Sequence, residues 1–282
     1  VETVEWIDPD GVSTTLEVEW DVSGRGAPPV RMDEEDVPGQ PGSRLRAVRH
    51  GARDFALPLW ITSDTETNLR TEVRSLIASM DPTRGDGRIR VTGPGGDQRE
   101  IVCRYQGGLE LSETLGDTSG PLLQRAPAMF RAHDPYWADV SPTVTEWELG
   151  QAPGSFFPIF PIRLSSSEVF ALDTVTNAGD VDAWPVWTIT GPGSGIRMAN
   201  LTTGKAWGFT VDLGTGESLT IDTRPGVKTV IHSSGANWWQ YLSSTSRLWS
   251  LRRGVNSLRI EMGSATAESH VALSRTHKYL AV

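Results

Sequence analysis

Apolar and polar residues alternate with a period of two along much of this chain, and one stretch alone switches to helical spacing. Val4 and Trp6 alternate with charged residues, Asp8-Pro9-Asp10-Gly11 offers a turn, and Leu16, Val18 and Trp20 alternate against Thr15, Glu17 and Glu19. This pattern predicts a hairpin over 1–20 with one wet face. From Ser23 to Ser43 the periodicity disappears into Gly, Pro and charge, including Asp33-Glu34-Glu35-Asp36. The stretch reads as a long mobile loop and a candidate contact arm, since loops beyond about 12–15 residues in a compact domain tend to be functional or disordered. Strand spacing returns from Leu45 to Ile61, with Phe55, Leu57, Leu59 and Ile61 on one face. Pro58 lacks a backbone donor and confines that strand to an edge or a bulge.

The period then lengthens. Ser63-Asp64-Thr65-Glu66 fits a capping box, and Leu69, Val73, Leu76, Ile77 and Met80 follow at helical spacing until Asp81-Pro82. A helix over about 65–80 is predicted, with Arg70, Glu72 and Arg74 on its polar face. A second hairpin pairs 88–92 with 98–105 around Gly93-Pro94-Gly95-Gly96, and Ala126, Ala128, Phe130 and Ala132 alternate once more. A Pro-, Gly- and aromatic-rich junction covers 141–160, which divides the chain into domains at 1–140 and 161–282.

Beyond the junction, turn signals recur at Asn177-Ala178-Gly179-Asp180, Gly191-Pro192-Gly193, Thr203-Gly204, Gly214-Thr215-Gly216, Pro225-Gly226, Gly235-Ala236-Asn237 and Arg253-Gly254. Short strands between such turns predict a β-sandwich without a convincing helix. One of them starts at Ala183, carries Trp184 and Trp187, and stops at Gly191-Pro192. Trp184 and Trp187 fall on opposite faces of an extended chain, so one is core and the other a candidate partner contact.

Composition narrows the function more than it changes the fold. The 282 residues suit two cores, and 11 tryptophans supply large buried area. A net charge of -9 argues against nucleic-acid binding, which depends on cations neutralising phosphates. No window is long and apolar enough for a membrane span. The lone Cys103 reads as a core side chain. His50, His133, His232, His270 and His277 are scattered, and His133-Asp134 would point to opposite faces, so neither a metal centre nor a base–acid pair is predicted. Gly191-Pro192-Gly193-Ser194-Gly195 imitates a phosphate cradle, but Pro192 removes a donor and no helix follows. Arg84-Gly85-Asp86 is a helix-to-strand turn rather than a recognition tripeptide. No catalytic residue, cofactor or metal is predicted, and the chain does not read as an enzyme. Trp238, Trp239 and Tyr241 beside the Gly235 turn are candidate contacts for a sugar or a protein.

Several stretches, in order, resemble the distal tail proteins of long-tailed phages, above all those of actinobacterial hosts. They are PGQPGSRLRAVR at 38–49, ARDFALPLWI at 52–61, NLRTEVRSLIASMDPTRGDGRIRV at 68–91, RYQGGLE at 104–110 and FRAHDPYWAD at 130–139. NAGDVDAWPVWTITGPGSGIRMANLTTG at 177–204, GESLTIDT at 216–223 and RGVNSLRI at 253–260 extend the likeness. The resemblance implies a mainly β chain: an N-terminal barrel- or sandwich-like ring domain with one packed α-helix, then a C-terminal galectin-like β-sandwich. It also implies a homohexamer in the virion's tail tip, made in the host cytoplasm, that joins the tail tube protein to the tail-tip hub and continues the channel. The tape measure and other minor tail proteins are further partners by the same likeness. The sugar-binding residue set of galectins is not recoverable here. Pro58, Arg70 and Arg74 are then candidates for the ring interface, together with the hairpin over 1–20 and the loop over 23–43. The alternative reading is a monomeric two-domain carbohydrate-binding adhesion protein.

Overall fold

The computed structural model describes residues 2–19, 22–39, 41–111, 119–148 and 169–282. Trp20 and most of the expected junction lie outside these residues. The chain divides into two compact units, one of residues 1–140 with 279–282 and one of residues 141–278.

The first unit is built on β1 (Thr3–Ile7), β2 (Ser13–Leu16), β3 (Val30–Asp36), β4 (Ser43–His50) and β5 (Arg53–Thr62), then α1 (Glu66–Ser79). β6 (Gly87–Thr92), β7 (Gln98–Gly107), β8 (Ser119–Gly120), β9 (Leu123–Ala132) and β10 (Trp137–Asp139) follow. β1 and β2 form the expected hairpin, Val4 opposite Leu16, and Asp8 accepts the Asp10 and Val12 N–H groups to fix its turn. A nine-stranded sheet runs β2-β1-β6-β7-β10 to β20 (Lys278–Tyr279) and branches where β9 pairs β5, β7 and β8. Among the described residues it does not close into a barrel. Alternation buries Phe55, Leu57 and Leu59 of β5 and Ala126, Ala128, Phe130 and Ala132 of β9. Phe130 lies 5.3 Å from the Trp6 ring and 5.5 Å from Phe55.

The strand containing Pro58 is not a free edge. Pro58 stands opposite Pro127, but its carbonyl faces away from β9 and so does its nitrogen, which puts the missing donor outside the β5–β9 ladder, on the side where β5 is bridged by Val18 and Ser23. The Pro58 carbonyl accepts the Glu19 N–H at 2.9 Å, and Trp60 donates to Glu17 at 2.9 Å. Thr65 caps α1 by accepting the Asn68 N–H, so the cap is one hydroxyl without the reciprocal acid of a capping box. Leu69, Val73, Leu76 and Met80 are buried, but Ile77 is 42% exposed because the helix covers the sheet with a narrower stripe than its apolar spacing allows.

The loop expected over 23–43 contains a strand instead. β3 pairs β4 as a separate two-stranded sheet, and every residue of both strands is exposed. A register shift between Asp33 and Glu34 inserts Arg46 as an extra residue in β4.

The second unit comprises β11 (Thr143–Glu148), β12 (Val169–Asn177), β13 (Val186–Thr190), β14 (Ser194–Asn200) and β15 (Lys205–Gly208). β16 (Ser218–Asp222), β17 (Thr229–His232), β18 (Gly254–Gly263) and β19 (His270–Arg275) complete it. A sheet ordered β11-β19-β13-β16-β17 and one ordered β12-β18-β14-β15 share one apolar core, a β-sandwich. β11 lies within the expected junction yet pairs with β19 as a full member of the first of these sheets. The core centres on Trp187, whose ring lies 6.1 Å from Trp147, 5.6 Å from Trp207 and 5.4 Å from Trp249.

At the end of β16, Asp222 is 6% exposed and accepts from the Arg224 backbone N–H at 2.9 Å and from its Nε at 3.0 Å. Burial pushes the carboxyl pKa up, but the hydrogen bonds and charge of Arg224 outweigh it and hold the group below its ordinary value of 3.8. A depressed carboxylate stabilises the fold above its unfolded pKa, and that contribution disappears as pH falls through the folded value. Asp222→Asn is therefore expected to cost roughly 1–2 kcal/mol at pH 7 and to flatten the loss of stability below pH ~4. Urea unfolding of both proteins from pH 7 to pH ~2 checks it; parallel pH profiles would refute the assignment.

Candidate partner-contact surfaces

Three surfaces stand out, and none is organised for catalysis. Among the described residues no group of His, Cys, Asp and Glu could hold a metal ion. Burial raises the Cys103 pKa, which keeps that thiol protonated and inert. His133 and Asp134 are both exposed. At the would-be phosphate cradle, Gly191 N donates to Glu217 and Gly193 N to Leu213, so those donors are already committed to the sheet.

The first surface is a groove of about 320 Å³ between β2, β5 and α1. Its floor is Leu16, Leu59 and Leu76, and its rim carries Glu17 and Glu72. The Trp60 indole forms one wall and packs under the Arg125 guanidinium, whose carbon lies 3.9 Å from the ring. Arg125 in turn pairs with Glu19 at 3.0 Å. Of the candidate ring residues, Pro58 sits half-buried on β5, Arg70 is exposed and pairs with Glu66 at 2.6 Å, and Arg74 is exposed on α1.

The second surface is the β3–β4 hairpin. Cross-strand register places Val30 and Met32 on one face with Val48 and Leu45, and each of the four is at least half exposed. The other face carries Arg46 paired with Glu35, and Arg49 paired with Asp33 at 3.8 Å. The sequence marks 23–43 as a candidate contact arm but as a loop rather than a hairpin, for which the Val30–Met32 alternation was the available signal, and it gives no sign of the groove.

The third lies in the second unit. Trp238, Trp239 and Tyr241 sit on a short 3-10 turn over Trp239–Tyr241, not on a strand. Trp238 stacks flat on His232 at 4.1 Å with 6° between planes, and Tyr241 meets Trp238 edge-on at 5.3 Å. His232 Nδ1 accepts the Ser234 N–H, which holds the ring in place beneath Trp238. Trp239 is 44% exposed. Trp184 is half-buried, and among the described residues no ring contact joins it to this group; Trp187 is the core member of that pair.

Residues 178–279 match the family described as the siphovirus-type tail component, C-terminal domain. The crystal structure of the SPP1 Dit protein, described as a paradigm of the hub adsorption apparatus in phages infecting Gram-positive hosts, aligns over 98% of this chain and 99% of its own. Its TM-score is 0.69 at 18% sequence identity. The second unit thus carries the C-terminal domain of the siphovirus-type tail components. The family match covers most of the second unit, and the first unit's likeness to SPP1 Dit is one of fold. A chain of the phage P2 baseplate in its calcium-activated conformation aligns over the full length of both chains, with a TM-score of 0.55 at 11% identity. The same baseplate activated with strontium gives 0.52 at 11% identity. No curated protein sequence matches this chain. Its mainly β fold, with one α-helix among the described residues and two successive β units, is that of SPP1 Dit.

Proposed function

We propose that this protein is a non-enzymatic structural adaptor of a phage tail tip, assembled as a homohexameric ring that joins the tail tube to the tail-tip hub and continues the tail channel. The observation that carries this reading is the end-to-end alignment with SPP1 Dit, which spans both units in one order. The first unit supplies the ring and the second serves as an attachment domain. Contacts around Pro58, Arg70 and Arg74 contribute to the ring, and Trp184, Trp238, Trp239 and Tyr241 are where the second unit meets a tail-tip partner. Localisation is the virion tail tip.

Light scattering of the purified full chain from micromolar to near-millimolar concentration, with electron microscopy of the same samples, tests the proposal. A mass near six chains and annular particles are expected. A monomer at every concentration that binds host-wall polysaccharide would replace the adaptor with a carbohydrate-binding adhesin.

A further inference from the structure

The β3–β4 hairpin is divided by charge between its strands. β3 holds four carboxylates and one arginine, whereas β4 holds three arginines, Arg44, Arg46 and Arg49, and no carboxylate. A two-stranded sheet with no packing on either face is marginal in water, and this one also leaves Val30, Met32, Leu45 and Val48 on an uncovered face. Its internal ion pairs add little to hold it, because Arg46–Glu35 and Arg49–Asp33 are about half exposed or more on both sides. Such pairs exchange partners at small cost.

The groove between β2, β5 and α1 has the complementary character: an apolar floor of Leu16, Leu59 and Leu76 under the exposed carboxylates of Glu17 and Glu72. Both features lie on the first unit, and in a single chain both remain open to solvent. From this complementarity we infer that the occupant of the groove is the hairpin of a second copy of this chain. The hairpin turns its apolar face toward the leucine floor, and the long arginine side chains of β4, which leave the opposite face, reach over the strand edge to Glu17 and Glu72 on the rim. Such a contact is heterologous, since one patch meets a different patch, and repeated with the right rotation it closes a ring. The inference rests on the ring proposed above and names the contact that closes it.

Charge reversal tests it on the full chain. Three variants are compared with the parent by light scattering: R44E/R46E/R49E, E17R/E72R, and all five substitutions together. All five positions are exposed, so the buried core should melt as in the parent, and hydrogen exchange over 30–50 reports whether the hairpin stays paired once Arg46 and Arg49 no longer meet Glu35 and Asp33. Each partial variant is expected to associate at least 100-fold more weakly and to run as a monomer where the parent is a ring. The five-fold variant is expected to regain the ring, because both sides of the contact have changed sign. Raising salt to ~0.5 M should weaken the parent's assembly, as screening shortens the reach of exposed charges. Rings that persist in the partial variants, or a folded five-fold variant that stays monomeric, would overturn this seat and leave the ring reading standing. A parent that is monomeric throughout would overturn both.

Discussion

Trp187→Ala is expected to cost the second unit about 3–5 kcal/mol, the range for truncating a large buried aromatic side chain. Trp187 has no exposed surface and lies within 6.1 Å of three other indoles, so its removal strips packing from Trp147, Trp207 and Trp249 at once. Edge-on aromatic pairs contribute about 0.5–1.5 kcal/mol beyond the area they bury, and two of the three contacts are of that kind, at 80° and 82°. At roughly 3–4 °C per kcal/mol for a domain of this size, the second unit's melting temperature should fall by roughly 10–15 °C. Trp187→Phe should fall much less, because the indole Nε1 is buried without a hydrogen-bond partner and its loss orphans nothing. Calorimetry resolves the two units' transitions. A drop of less than ~3 °C for the alanine variant, which corresponds to under ~1 kcal/mol, would show that the four indoles do not act as one packed centre.

Only one strand of that centre was legible in the sequence: a short apolar strand with tryptophans and a Gly-Pro stop reads as sandwich core, and of Trp184 and Trp187 it is Trp187 that buries, whereas Trp147, Trp207 and Trp249 gave no such signal. The helix was legible too, and Leu69, Val73 and Leu76 bury as their spacing requires. The β3–β4 hairpin was not. Its alternation is interrupted by the extra residue Arg46, and its apolar members Val30 and Met32 stand among acids, so a period of two never accumulates over enough positions to be read. The aromatic turn at Trp239–Tyr241 was legible as composition but not as geometry. Adjacent aromatics suggest a strand, while the Asn237 side chain accepts the Trp239 N–H and winds the segment into a turn instead. The groove escaped because β2 meets β5 and α1 there only through the fold, tens of residues apart along the chain.

Arg53 is the residue that sequence hides most completely, because an arginine between Ala52 and Asp54 reads as a solvated strand position. In the fold it is 1% exposed and donates to the carbonyls of Gly24 at 3.0 Å, Gly26 at 2.7 Å and Leu280 at 2.7 Å. Burial lowers its pKa, yet a guanidinium remains charged in proteins, so its three acceptors are charge-assisted and strong. Gly24 is needed for the approach: a Cβ there would stand 2.5 Å from the Asp54 carbonyl. Arg53→Met should therefore destabilise the first unit by about 2–4 kcal/mol, the scale for losing several charge-assisted bonds whose effects do not add fully. Arg53→Lys should recover little, because one ammonium cannot reproduce the planar fork. The position of the clamp adds a second expectation. Arg53 follows the hairpin directly and holds the segment that leads into it, while Gly51 N bonds to Pro29 O at 2.7 Å to close the base between them. Hydrogen exchange should therefore accelerate first at residues 24–31 and 49–52 in Arg53→Met, ahead of the buried strands of the same unit. The proposed ring contact should weaken under conditions where the variant is still folded, because a hairpin without a fixed base loses the direction that contact requires. Uniform acceleration across the whole unit would mean that Arg53 supports only global stability and does not set the hairpin's direction.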